Sequence, residues 1–115
     1  MATFTKTKLS GSTNGRGIAV AATATLGTTI HAAHATALDE IWLYANNIHS
    51  SAVVLTVEFG GVTATSDLIQ TSIAATPSGL ILICAGLLVT GSVVVTAFAG
   101  TASKIELFGF VNRIA

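Results

Sequence analysis

No charged residue occurs between Asp67 and Lys104, and that gap limits what the chain can become. A stretch so apolar, with runs such as residues 80–83 and 93–95, is either a membrane crossing or a set of strands buried on both faces. Residues 79–99 have about the length of a bilayer span. The segment is rich in β-branched side chains, however, and Gly86, Thr90, Gly91 and Ser92 cut it into two short runs. Its flanks carry no cluster of Lys or Arg, the nearest charges being Asp67 and Lys104 themselves. Runs of this length suit buried strands better than half of a helix, so no membrane partner is expected. The opening MATFTKTKLSGSTNGRG alternates Thr with Lys and builds no apolar core, so no secretory signal is expected.

With 115 residues the chain makes one domain, large enough to bury a core without disulfides or metals. Five basic residues balance five acidic ones, and no basic stripe appears, which argues against nucleic acid as a partner. Cys84 sits inside the apolar run LILIC and reads as a small buried hydrophobe. Only 9% of residues are charged while half are hydrophobic, less charge than a small soluble monomer ordinarily carries. Much of the surface is therefore expected to be covered by other protein subunits.

Thr and Val are abundant, and Glu, Lys and Gln scarce, which favours strands over helices. Residues 1–16 read as an N-terminal arm with a strand-like tip, Thr3, Thr5 and Thr7 alternating with Phe4, Lys6 and Lys8 before a Ser-Gly-Asn linker. Residues 17–115 read as the body. Ile18, Val20, Ala22 and Leu26 share one parity, as in a strand of small residues, and residues 28–34 continue it or form a second. Residues 39–46, DEIWLYAN, predict a strand. Residues 52–59 alternate most cleanly, with Val53, Leu55, Val57 and Phe59 opposing Val54, Thr56 and Glu58. Gly60-Gly61 predicts a two-residue hairpin loop, since such turns need positive φ. Residues 62–73 return with a bend at Asp67, Pro77-Ser78-Gly79 turns the chain, and strands follow near residues 80–84, 93–98 and 104–111. Seven to nine short strands without a convincing helix point to an antiparallel β-sandwich or small barrel.

Several strands are apolar on both faces. Ile41 and Leu43 oppose Trp42 and Tyr44; Leu80 and Leu82 oppose Ile81 and Ile83; Ile105 and Leu107 oppose Phe108 and Phe110. One face fills the core and the other needs a second cover, which obligate oligomerisation supplies most simply.

The chain offers no catalytic constellation. His31 and His34, three apart, point to opposite faces of a strand and cannot share one ion without a bulge. His49 has no carboxylate near it in sequence. Asp39 and Glu40 diverge on a strand and are expected to cap a strand end or to pair with Arg16 or Arg113, not to form a catalytic pair with Glu58 or Asp67. No nucleophile elbow or phosphate loop is present. We expect a protein that is not an enzyme, with no catalytic or metal site and no cofactor. Trp42 and Tyr44 share parity and would suit core or interface packing, or a platform for a sugar.

Three stretches, DEIWLYAN at residues 39–46, VEFGG at 57–61 and GFVNRI at 109–114, together resemble small structural proteins of tailed-bacteriophage virions. The resemblance covers roughly residues 36–114 and leaves out the arm. It implies a β-sandwich, often of jelly-roll type, that assembles on the particle as a capsid decoration or cement protein, or as a tail, baseplate or fibre component. The implied partners are the chain itself, as a homotrimer, and the major capsid protein or other virion proteins; the implied location is the virion, after synthesis in the bacterial cytoplasm. Thr3, Phe4, Thr5, Lys6, Thr7 and Lys8 would dock the arm by adding a strand to a neighbour. Trp42, Tyr44, Phe108 and Phe110 would form the contact face. The reading from a different class is a carbohydrate-binding β-sandwich module.

Overall fold

The computed structural model describes residues 2–64 and 66–115, and every regular element in them is a β-strand. The strands are β1 (Phe4–Lys8), β2 (Ile18–Ala19), β3 (Thr28–Ala32), β4 (Leu38–Asn47), β5 (Val53–Phe59), β6 (Leu68–Ile73), β7 (Ile81–Val89), β8 (Val94–Ala99) and β9 (Ile105–Ile114). They form two antiparallel sheets packed as a sandwich. The larger has the order β1-β9-β4-β7, with the short β2 lying beside β9 as well; the smaller has the order β3-β8-β5-β6.

Strand alternation builds the core. Side chains at every second residue share a face, so Ile41, Leu43 and Ala45 of β4 and Ile105, Leu107 and Val111 of β9 all point inward and are fully buried. Leu55 and Val57 of β5 and Val95, Ala97 and Ala99 of β8 meet them from the smaller sheet with no exposure. Burying each large aliphatic side chain contributes about 1.5–3 kcal/mol. Cys84 belongs to this core, and burial pushes its thiol up to about 11.

From β2 onward every connection crosses from one sheet to the other, except that β5 and β6 are neighbours in the same sheet. Those two pair antiparallel, but not through a two-residue turn. Gly60 has the positive φ, 89°, that such a turn needs, and Gly61 does not. Asp67 instead closes a longer loop: its backbone N–H donates to the Thr63 carbonyl at 3.0 Å, and its carboxylate accepts from the Thr63 N–H at 2.9 Å.

Three further expectations change. Of the expected arm, residues 1–16, the described residues 2–16 do not stand apart from the body: β1 pairs with β9 from Phe4 opposite Ile114 to Lys8 opposite Phe110, and Thr3 and Ala115 exchange backbone hydrogen bonds of 2.6 and 2.9 Å. Leu9 is 1% exposed within the core, and Gly11 donates its N–H to the Ile30 carbonyl at 2.9 Å. The apolar residue just past the strand anchors a segment whose Gly-Ser-Asn composition suggests a free linker. The strand expected across residues 18–26 stops at Ala19, because the chain then leaves the sheet to cross the outer face of β5 and β8, leaving Leu26 exposed. Finally, β7 does not end near Cys84. Gly86 adopts φ 74°, which lets the strand bulge and continue to Val89.

Candidate interface

The outward residues of β4 and β9 form a ladder of aromatic pairs. Trp42 lies opposite Phe110, and Tyr44 opposite Phe108. The Trp42 and Phe110 rings are stacked, with centroids 6.2 Å apart and planes within 10°. Lys6, brought alongside by β1, places its ammonium 4.7 Å from the centre of the Phe110 ring, within cation–π range. Glu40 accepts from Trp42 Nε1 at 2.8 Å and from Asn112 Nδ2 at 3.0 Å. These hydrogen bonds, Asn112's first, outweigh a small desolvation cost and hold the Glu40 carboxyl below its ordinary range. Phe108 packs on Gly17, where any Cβ would fall 2.7 Å from the ring. The indole orientation is thus held on one side by stacking and on the other by a carboxylate.

All four aromatic side chains keep part of their surface exposed, while their inward neighbours Ile41, Leu43 and Leu107 have no exposure. Leu82 and Leu88 of β7 continue the apolar surface at 49% and 53% exposure. The two-faced pattern of the sequence therefore becomes a filled core on one side and a partly exposed aromatic face on the other. Of the arm residues, Phe4 is 70% exposed and Lys6 and Lys8 share its outward face, while Thr5 and Thr7 alternate to the other side; Thr3 is tied to Ala115. Docking residues expected on a separate arm and contact residues expected on the body thus lie side by side on one sheet.

Beside the ladder is a shallow depression of about 440 Å³ lined by Thr13, Arg16, Gly17, Glu106 and Phe108.

Two carboxylates are buried. Asp39, with no exposure, accepts from Arg113 Nε at 2.7 Å, Arg113 Nη2 at 3.0 Å, His31 Nε2 at 2.7 Å and the His34 N–H at 3.2 Å. His31 Nδ1 accepts the Ser10 N–H at 3.0 Å, so the ring proton sits on Nε2 and goes to Asp39. Since His31 belongs to the smaller sheet and Asp39 and Arg113 to the larger, the cluster fastens the two layers. The Ser10 hydroxyl is engaged by the Ala32 N–H at 2.7 Å, not by the imidazole, so the arrangement is not a nucleophile–base pair. The His34 imidazole, unlike its backbone N–H, lies outside the cluster, its Nδ1 accepting from the Thr36 and Ala37 N–H groups. Glu58, also without exposure, faces outward from β5 beneath residues 25–27. It accepts from the Thr25 hydroxyl at 2.5 Å, the Thr96 hydroxyl at 2.5 Å and the Gly27 N–H at 2.8 Å.

Among the described residues no helix is long and apolar enough to cross a membrane. Protein-family profiles, curated proteins and solved structures all contain no match to the chain.

Proposed function

We propose that the chain is a structural subunit of a tailed-bacteriophage virion, a capsid decoration or cement protein that stabilises the head shell through subunit contacts. The observation that carries the assembly role is the aromatic ladder of Trp42, Tyr44, Phe108 and Phe110 on one sheet face, in which Trp42 stacks on Phe110 and all four side chains stay partly exposed. Aromatic anchors held in place before contact are what protein interfaces concentrate their binding energy on. The strand order supports a jelly-roll reading, since β2-β9-β4-β7 over β3-β8-β5-β6 with crossing connections is how two Greek keys interleave. Jelly rolls serve capsids and lectins alike, so the fold alone does not choose between them. The choice of virion, and of a trimer, follows the resemblance of residues 39–46, 57–61 and 109–114. Residues 39–46 and 109–114 lie in β4 and β9, the two strands that carry the ladder. A tail, baseplate or fibre position would use the same face.

Mass spectrometry of purified particles with copy-number measurement tests this reading. A copy number matching regular positions on the head supports it, a low copy number assigns the tail, and absence from particles overturns it.

One observation favours a carbohydrate-binding module: the depression where Phe108 lies near Arg16, Glu106 and Thr13, an aromatic plane beside charged and hydroxyl groups. Binding to a glycan array that is lost in Phe108→Ala, with no particle association, would select that reading.

A further inference from the structure

The two sheets leave several edges, and one of them is both long and apolar. On the side of β9 away from β4, β1 is five residues long and carries Lys6 and Lys8, and β2 has two residues. Next to β3, residues 9–12 cover the edge, with Gly11 N–H on the Ile30 carbonyl and the Ala32 N–H on Ser10 Oγ. The β6 edge is six residues long and presents Gln70, Thr71 and Ser72. The β7 edge has nine residues, ILICAGLLV, with no charge and no proline. Among the described residues its backbone pairs only with β4. Leu80, Leu82, Leu87 and Leu88 along it are 58%, 49%, 42% and 53% exposed. A long, uncharged, apolar edge is a template for another strand.

We propose that β7 pairs antiparallel with β7 of a second copy about a twofold axis at Ala85, joining two larger sheets into one. The sequence of the strand selects this occupant. Around Ala85 it is self-complementary: Ile81 meets Val89, Leu82 meets Leu88, Ile83 meets Leu87 and Cys84 meets Gly86. The facing also agrees. Leu82 and Leu88 both lie on the outward side, opposite Tyr44 and Glu40 of β4, while Ile81 and Val89 lie on the inward side opposite Ala45 and Asp39. Charge points the same way. Pairing β7 with β7 brings no charges together, whereas β1 against β1 would oppose lysines and β1 against β7 would place Lys6 and Lys8 among leucines. A contact about a twofold closes at two copies. It is separate from any threefold contact through the aromatic face, and it holds or fails whether or not the protein belongs to a virion.

Light scattering of the isolated chain at micromolar concentration should give an even multiple of the chain mass: a dimer, or a hexamer if a threefold closes as well. Leu82→Lys combined with Leu88→Lys should halve that mass and weaken association at least about tenfold. Leu82→Lys combined with Leu88→Glu should keep it, because each lysine then meets a glutamate across the axis. A monomer, an odd multiple, or equal behaviour of the two double variants overturns the proposal. Against the chance that charged variants misfold, Ala85→Cys in a Cys84→Ser background provides a second reading. Directly opposed strand residues fall within disulfide reach, so mild oxidation should give a covalent dimer with unchanged circular dichroism. Failure to crosslink also overturns the proposed axis.

Discussion

Arg113 and Asp39 face each other across the β4–β9 ladder and are joined by two parallel hydrogen bonds, Nε to Oδ1 at 2.7 Å and Nη2 to Oδ2 at 3.0 Å. Replacing Asp39 with Asn keeps the shape but removes the charge that Arg113, His31 and the His34 N–H converge upon. The cost should be about 2–3 kcal/mol by urea denaturation near neutral pH. The pair also sets a pH dependence. Burial opposes ionisation of Asp39, but the hydrogen bonds from Arg113, His31 and His34, with the Arg113 charge, overcome it and hold the carboxyl at about 2 instead of the ordinary 3.8. This contribution is complete above pH 3.8 and declines as pH falls towards 2. The Asp39→Asn protein should show a flatter stability profile over that window.

Glu58 should behave similarly on the other sheet. Burial again opposes its charge, and the Thr25 and Thr96 hydroxyls and the Gly27 N–H overcome it, so its carboxyl is held below the usual range. Its stabilisation is present above the ordinary carboxylate pKa and is lost as pH falls through the lowered one. Glu58→Gln turns an amide NH₂ towards groups that already donate, at a cost of about 2 kcal/mol. Amide exchange should quicken selectively in residues 22–27, the segment that Glu58 holds down; uniform acceleration across the chain would contradict this role.

Trp42→Ala separates core from interface. A fully buried tryptophan would cost about 3–5 kcal/mol, but Trp42 keeps part of its surface exposed, so the isolated chain should lose about 2–3 kcal/mol. Association with particles, or with other copies through this face, should fall much further. Denaturation and light scattering on the same sample measure the two losses.

Removing residues 2–15 should destabilise the body instead of simply detaching an arm. It deletes β1, the buried Leu9, the Ser10 N–H on His31 and the cover over the β3 edge. Leu9→Ala alone should cost about 3 kcal/mol, as a large-to-small change in a packed core. A truncated chain with the full-length melting temperature would show that the segment is independent after all.

The alternation of residues 39–46 and 53–59 makes the inward faces of β4 and β5 readable from sequence alone, and with them the all-β sandwich and the shared face of Trp42 and Tyr44. The parity of Phe108 and Phe110 is equally visible, but their pairing with Tyr44 and Trp42 depends on β4–β9 register, which no local pattern encodes. Arg113 is one of two arginines that the sequence leaves open as partners for Asp39. Joining that pair to His31 requires knowing that β3 and β4 lie in opposite sheets, because eight residues of separation do not reveal a contact across layers. Glu58 looks like the polar member of an alternating strand, and nothing in its neighbours announces that residues 25–27 cover it. Leu9 misleads for a related reason: composition marks its surroundings as flexible, yet a single apolar side chain is enough to fasten them.

β9 joins β1, β2 and β4 in the larger sheet, and it follows all of them in the chain. Until it is synthesised, that sheet can form nothing but the β4–β7 ladder, and the first strand waits for a partner from the far end. Such long-range closure is slow. In the interval the inward face of β4 and the uncharged edge of β7 are open together. Folding and edge-to-edge pairing therefore compete for the same strands: crowding many chains at synthesis would favour premature pairing, and the outcome turns on how quickly β9 arrives.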